Sequence, residues 1–298
     1  MRTTRSNRTR PLVALVAVVA LALSACGDDA GSVTVGSANF PESILMGNLY
    51  AGALENAGFD VEEQFNIGAR EAYVPALESG EIDVLPEYLG SLHNYTTGGD
   101  DEISETDDLL ADLRAEYEPD IMFAEPAEAE NANAHLVTQE TAEEFGLETL
   151  SDLGEVAGEL VAGGPPEVRD RPDGLPGLQD VYGIEFAEFR DLDACGPITT
   201  SALSQGDIDV ARACSAMGII AEEGWVNLED DQNLLNAENL TPMVRADVYD
   251  DELEEVLNAV SAALTTEELI EMNRRIEIDN DDPDVVAQDW LSEQGLAD

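Results

Sequence analysis

The sequence contains no lysine. Its thirteen basic residues are all arginine, set against 65 acids, for a formal net charge of −52 over 298 residues. A P-loop ATPase and a pyridoxal or Schiff-base enzyme both need a lysine amine, so those classes are excluded. Nucleic acid is excluded as a partner, because phosphate binding needs clustered cations. Histidine occurs at His93 and His135 alone, and there are three cysteines, too few for a His/Cys metal site. There is no G-x-S-x-G elbow, which argues against an exported hydrolase. The pair Gly163-Gly164 lacks the G-x-G-x-x-G spacing of a phosphate loop. The chain is therefore expected to be no enzyme and to use no cofactor.

The charge that is present is unevenly placed. Arg2, Arg5, Arg8 and Arg10 precede an apolar run from Pro11 to Leu23, then Ser24-Ala25-Cys26. A cationic head, a short apolar stretch and small residues read as a secretory signal, residues 1–25. The run is short for a permanent membrane span. Its ending matches the lipobox of bacterial lipoproteins, which implies cleavage before Cys26 and a lipid on that thiol. The protein is then expected in the cell envelope, held to the outer face of the cytoplasmic membrane through the lipid alone. Losing the head removes four arginines and no acid, so the mature chain is more acidic still. Self-repulsion on this scale is tolerable where salt screens it, and at molar salt the Debye length is about 3 Å. The acidity reads as adaptation to a salty exterior.

Hydrophobic residues make up 44% and recur with regular periods, which excludes disorder for the body of the chain. After a tether at 26–32, Val33–Gly36 alternates as a strand. Pro41 opens a helix, with Glu42 set against the positive end of its dipole. A strand at Val61–Phe65, a helix at Ala72–Ser79 and a strand at Ile82–Leu85 follow. The alternation predicts an α/β fold with a largely parallel sheet. The stretch Ala76–Val84 is echoed at Ala202–Val210, each reading as helix end, glycine turn and acidic-apolar-acidic strand. Two lobes on one plan would give that echo. Ligands gather beyond the carboxyl ends of strands in such sheets, so Tyr88 and Cys214, each four residues past the echo, would look into one cleft. Helical spacing returns over 250–264 and 266–276, and Pro283 opens a last helix.

These motifs resemble the substrate-binding lipoproteins of ABC importers for glycine betaine, choline, carnitine and related osmoprotectants. The resemblance rests on Val35–Glu42, on Pro86-Glu87-Tyr88-Leu89-Gly90-Ser91 (PEYTGT in the family), on Arg171–Leu178 with Tyr182-Gly183-Ile184, on Pro242–Arg245, and on the stretch from Asp282 to Leu296. It implies a two-lobed, hinged fold like that of periplasmic binding proteins. Lobe 1 would span 33–131 plus 240–298 and lobe 2 would span 132–239, with the ligand cleft between them. It also implies a small-molecule ligand, an ABC permease with its ATPase, and delivery of an osmoprotectant.

A quaternary ammonium offers no N–H and is held by aromatic faces; a betaine carboxylate needs donors. The family cage of tyrosines, carried across by position, leaves Tyr88, with Ser91 in place of a threonine and Ser43 in place of a glutamine. Asn133, Cys214 and Glu238 stand where other cage tyrosines would be, and Asn39 and Phe40 belong to the opening loop. Phe40, Tyr73 or Tyr95 could rebuild the cage, or the ligand is a more polar solute such as an amino acid. Glu238 could neutralise a cationic ligand, or be a solvated acid. Arg169 and Arg245 could each meet a ligand carboxylate or a structural acid. His93 reads as a rim or structural residue, and Trp225 and Trp290 as packing. Cys195 and Cys214 are candidates for a disulfide in an oxidising compartment. A receptor that signals without transport is a further alternative.

Overall fold

The computed structural model describes residues 32–99 and 103–297. The expected leader at 1–25, the expected lipidation site Cys26 and nearly all of the expected tether lie outside the described residues. Among the described residues, ten strands form two five-stranded sheets. They are β1 (Val33–Gly36), β2 (Val61–Gln64), β3 (Val84–Tyr88), β4 (Ile121–Phe123), β5 (Asn133–Val137), β6 (Val161–Gly164), β7 (Glu188–Asp191), β8 (Val210–Cys214), β9 (Val226–Asn227) and β10 (Leu240–Arg245). The first sheet runs β2-β1-β3-β10-β4 and the second β7-β6-β8-β5-β9.

Helices cover both faces of each sheet. Along β3, Val84 packs with the helices Pro41–Ala57, Asp251–Ala263 and Pro283–Gln294, while Leu85 faces Arg70–Ser79, Leu89–Thr97 and Thr106–Tyr117. Along β8, Val210 and Ala211 divide in the same way between two apolar clusters. This is the period-two alternation of a strand buried on both sides. The result is a two-lobed α/β fold.

Two sequence expectations need correction. The sheets are mixed, not largely parallel: β1 runs parallel to β2 and β3, but β10 is antiparallel to β3 and β4. The second sheet repeats this, with β5 antiparallel to β8 and β9. In each case the reversed strand is the one that arrives from the other sheet. The echoed acidic segments are also not strands. Gly80 and Gly206 take left-handed turns at φ 76° and 70°, which glycine adopts without a steric penalty. Asp83 and Asp209 then each accept a backbone N–H from the start of the neighbouring strand, from Thr34 at 2.9 Å and from Val161 at 2.7 Å. The strands themselves begin one residue later.

The chain passes between the sheets twice, after β4 and again before β10. The two passages are hydrogen-bonded to each other: Asn131 N–H donates to the Glu238 carbonyl at 3.1 Å, and Leu240 N–H to the Ala129 carbonyl at 3.0 Å.

Candidate ligand-binding cleft

The carboxyl ends of β3 and β8 face one cleft of about 750 Å³, open to solvent. From the first lobe its wall takes Asn39 and Phe40, in the loop after β1; Arg70 and Tyr73, on the helix Arg70–Ser79; Tyr88, at the end of β3; and Ser91, on the helix that follows it. From the second lobe come Asn133, Glu167, Val168, Arg171, Cys195, Arg212 and Cys214. The rings of Phe40 and Tyr88 lie 6.3 Å apart at 36°. Tyr73 carries the Arg70 guanidinium 5.8 Å from its ring centre, and Arg70 is in turn paired with buried Glu87 at 2.7 and 3.0 Å. Among the described residues the second lobe contributes no aromatic ring to this wall.

Tyr88 is buried yet edges the cleft, and its hydroxyl donates to Glu42. Glu42 also accepts from Asn131 at 2.6 Å and from Asn273. Asn131 and Asn273 both hold the backbone of Ala216, at 2.8 and 2.9 Å, so this carboxyl joins three distant segments beneath the cleft. Burial pushes its pKa up, and the three donors oppose that shift. The sequence expectation placed Glu42 at a helix start as a dipole partner. It does lie in the first turn, but it is buried and its carboxyl is taken by Tyr88, Asn131 and Asn273.

Of the residues singled out from sequence, Tyr88, Ser91, Asn39, Phe40, Asn133 and Cys214 are brought together on the cleft wall. Ser43 and Glu238 are not. The Ser43 hydroxyl accepts the Ala38 N–H at 2.9 Å and braces the loop from within. Glu238 is 3% exposed, not a solvated acid, and stands behind Ser91, taking its N–H at 3.0 Å and its hydroxyl at 2.6 Å. Burial raises its pKa to about 8, so near neutral pH it is largely protonated and a poor counter-ion for a cation.

Arg169 and Arg245 are occupied away from the cleft: Arg169 with Asp191 and the Phe189 ring, Arg245 with Asp83 and Asp247. The cations on the wall are Arg70, Arg171 and Arg212. Arg212 was legible in principle, because it precedes Cys214 by two and alternation puts both on one face of β8. Tyr73 is on the wall, whereas Tyr95 borders a separate hollow. His93 is buried against Asp112 at 3.0 Å, and Trp290 donates to Glu268 at 2.7 Å.

Cys195 and Cys214 form a disulfide, with Cα atoms 5.5 Å apart, and both line the cleft. Contacts also cross the opening. Asn133, which donates within its own lobe to Asp173 at 2.7 Å, reaches Ser91 of the other lobe at 3.4 Å, and Arg171 pairs with Glu71 at 3.0 Å.

The family model described as the substrate binding domain of ABC-type glycine betaine transport systems matches residues 31–293. The chain belongs to this family. It is 27% identical to the glycine-betaine-binding protein of Pseudomonas aeruginosa over 90% of each chain. It is also 27% identical to the glycine betaine-binding protein YehZ of Escherichia coli, over 94% of this chain and 95% of that one. A solved structure of a glycine betaine/carnitine/choline ABC transporter protein superposes with a TM-score of 0.71 at 23% identity, over 90% of this chain and all of that one. At that identity the likeness shows the fold. Among the described residues no helix is long and apolar enough to cross a membrane.

Proposed function

We propose that this protein captures a quaternary-ammonium or related osmoprotectant outside the cytoplasm and delivers it to an ABC permease and its ATPase. It acts as a receptor, without catalysis. The observation that carries the reading is the cleft at the two strand ends, with Phe40, Tyr73 and Tyr88 on one side and Asn133 and Cys214 on the other. Aromatic faces attract an alkylated ammonium with up to about 2 kcal/mol per desolvated ring, and the Asn and Ser groups give polar contacts to the other end. Lobe 1 (33–131 plus 240–298) and lobe 2 (132–239) close by bending at the paired passages around Asn131 and Asn239. Removal of residues 1–25 and a lipid on Cys26 keep the receptor at the membrane face.

Mass spectrometry of small molecules released from purified protein, followed by titration with glycine betaine, choline and carnitine, tests this. A bound quaternary amine is the expected result. Tight binding of an unrelated solute, with none to these three, would overturn it. Labelling with a radioactive fatty acid, lost in Cys26→Ala, tests the anchor.

One observation favours a second reading, a small polar zwitterion such as an amino acid. The lobe-2 wall offers charge and hydrogen bonds in place of aromatic faces.

A further inference from the structure

The helix Leu89–Thr97 starts against the passage that returns to β10 from the second sheet. Its first three N–H groups are all taken there. Leu89 N–H goes to the Asn239 carbonyl at 3.3 Å, Gly90 N–H to the Ala237 carbonyl at 3.0 Å, and Ser91 N–H to Oε2 of Glu238 at 3.0 Å. The approach demands glycine at 90, where a Cβ would lie 2.6 Å from Asn236 Cβ and 2.7 Å from the Ala237 carbonyl oxygen. Oε1 of Glu238 meets the Ser91 hydroxyl at 2.6 Å, and Asn133 of the other lobe points an N–H at the same oxygen at 3.4 Å. Ser91 itself lines the cleft.

The contact at 2.6 Å serves a proton in either direction. An ionised Glu238 accepts the Ser91 proton. A protonated Glu238 carries its proton on Oε1, because Oε2 accepts an N–H, and it then donates to Ser91 Oγ. A hydroxyl has one proton and two lone pairs. With Glu238 and Asn133 donating to both lone pairs, the Ser91 proton is left to the cleft. With Glu238 ionised that proton turns back, and a lone pair faces the cleft instead.

We infer that Glu238 is a positioning residue of the cleft: its proton decides whether Ser91 offers the solute a donor or a lone pair, so affinity for a solute with an acceptor at that end falls as pH rises. The inference rests on the reading of this cleft as the solute site and adds a control over it. Burial holds the proton on Glu238, and its pKa is raised to about 8. Arg70 opposes this from the neighbouring helix, itself paired with Glu87 of β3. Asp173 supports it from the second lobe, paired in turn with Arg212 of β8, the other cation that faces Glu238. A solute that accepts from Ser91 prefers the protonated form. Its affinity is therefore full at the acid side of that titration and is lost through it, with a proton taken up on binding.

Glycine betaine is the probe, because neither its quaternary ammonium nor its carboxylate titrates between pH 6 and 9.5. Calorimetric titration of the full chain, at one fixed high salt concentration, is expected to find level affinity at the acid end. At the alkaline end it should be about 10- to 100-fold weaker, the range of a charge-assisted hydrogen bond. Glu238→Gln, whose amide donates to Ser91 Oγ at every pH, keeps the acid-end affinity throughout. Ser91→Ala is weak and level across the range. A thermal melt reports folding of each, and if Glu238→Gln does not fold, Ser91→Ala decides alone. Level affinity in the unaltered protein, or an undiminished fall in either variant, overturns the inference while leaving the solute reading intact. If glycine betaine binds at no pH, that reading loses its support and the proton is followed without ligand. Infrared difference spectra of the unaltered protein against Glu238→Gln at pH 6 are then expected to show a protonated-carboxyl band that moves in Ser91→Ala. No such band, or one indifferent to Ser91→Ala, overturns the inference.

Discussion

Replacing Glu238 by Gln is expected to stabilise the protein, and to do so in a pH-dependent way. Glu238 is buried behind Ser91 with a pKa raised to about 8 by desolvation. In the unfolded chain it titrates near the ordinary glutamate value, about 4.3. Between those two values the native state holds a proton that the unfolded state has lost, so the contribution of Glu238 to stability falls as pH rises through the window and levels off above about 8. Each pH unit is worth about 1.4 kcal/mol, which over this interval amounts to on the order of 5 kcal/mol. Gln is isosteric with the neutral acid. Its amide can donate to the Ser91 hydroxyl and its carbonyl can accept the Ser91 N–H, replacing both contacts now at 2.6 and 3.0 Å. Thermal melts at constant high salt, from pH 4.5 to 8.5, should find the two proteins alike at the acid end. The variant should pull ahead by about 10 °C or more at the alkaline end. Parallel curves across the range, or a variant less stable at pH 8, would refute the reasoning.

Three further outcomes follow from other contacts. Reducing the Cys195–Cys214 disulfide, which closes a separation of 19 residues, should cost about 3 kcal/mol by the loop-entropy relation; a melt with and without reductant reads this, and an unchanged midpoint would contradict it. Tyr88→Phe removes one of the donors to buried Glu42 and should lower stability by about 1–3 kcal/mol in denaturant titration, whereas Tyr88→Ala should also weaken ligand binding by removing the ring. Glu71→Gln breaks the pair with Arg171 across the cleft mouth, where the two side chains are 50% and 28% exposed; the effect on affinity should stay within about fivefold and vanish at molar salt.

Much of the architecture was legible because it depends on local pattern. The helix opened by Pro41, the glycine turn at Gly80 and the last helix from Pro283 all stand where sequence places them. The direction of β5 and β10 was not legible, since it depends on which sheet each strand arrives from. In the cleft, residues reached by counting along a motif, such as Tyr88, Ser91 and Asn133, do line the wall. What the count could not supply is depth. Ser43 and Glu238 lie at motif positions too, but one layer further in, because Ala38 N–H and Ser91 claim their oxygens. Glu42 stands in the first turn as read, but its burial was not legible: one acid among 65 carries no mark of it, and its partners Asn131 and Asn273 are far away in sequence.

The two sheets share a strand order and a pairing pattern, and the same acid at the same turn holds the start of the adjacent strand in each. What differs is the tip of the equivalent strand. β3 ends in Tyr88, with Phe40 and Tyr73 beside it; β8 ends in a half-cystine, with Arg212 two residues behind. The scaffold repeats while the chemistry divides: the aromatic rings of the wall come from one lobe, and the half-cystines and two of its three arginines from the other. On the proposed function, the solute would set its alkylated ammonium against the rings and its polar end against the other wall. Each wall alone gains little, since an exposed ring or an arginine in water binds such groups weakly. Bringing the walls together excludes water and strengthens both contacts at once. On the proposed function, a solute that meets both walls would supply free energy for closing the cleft, and one that meets a single wall would leave the other desolvated without compensation.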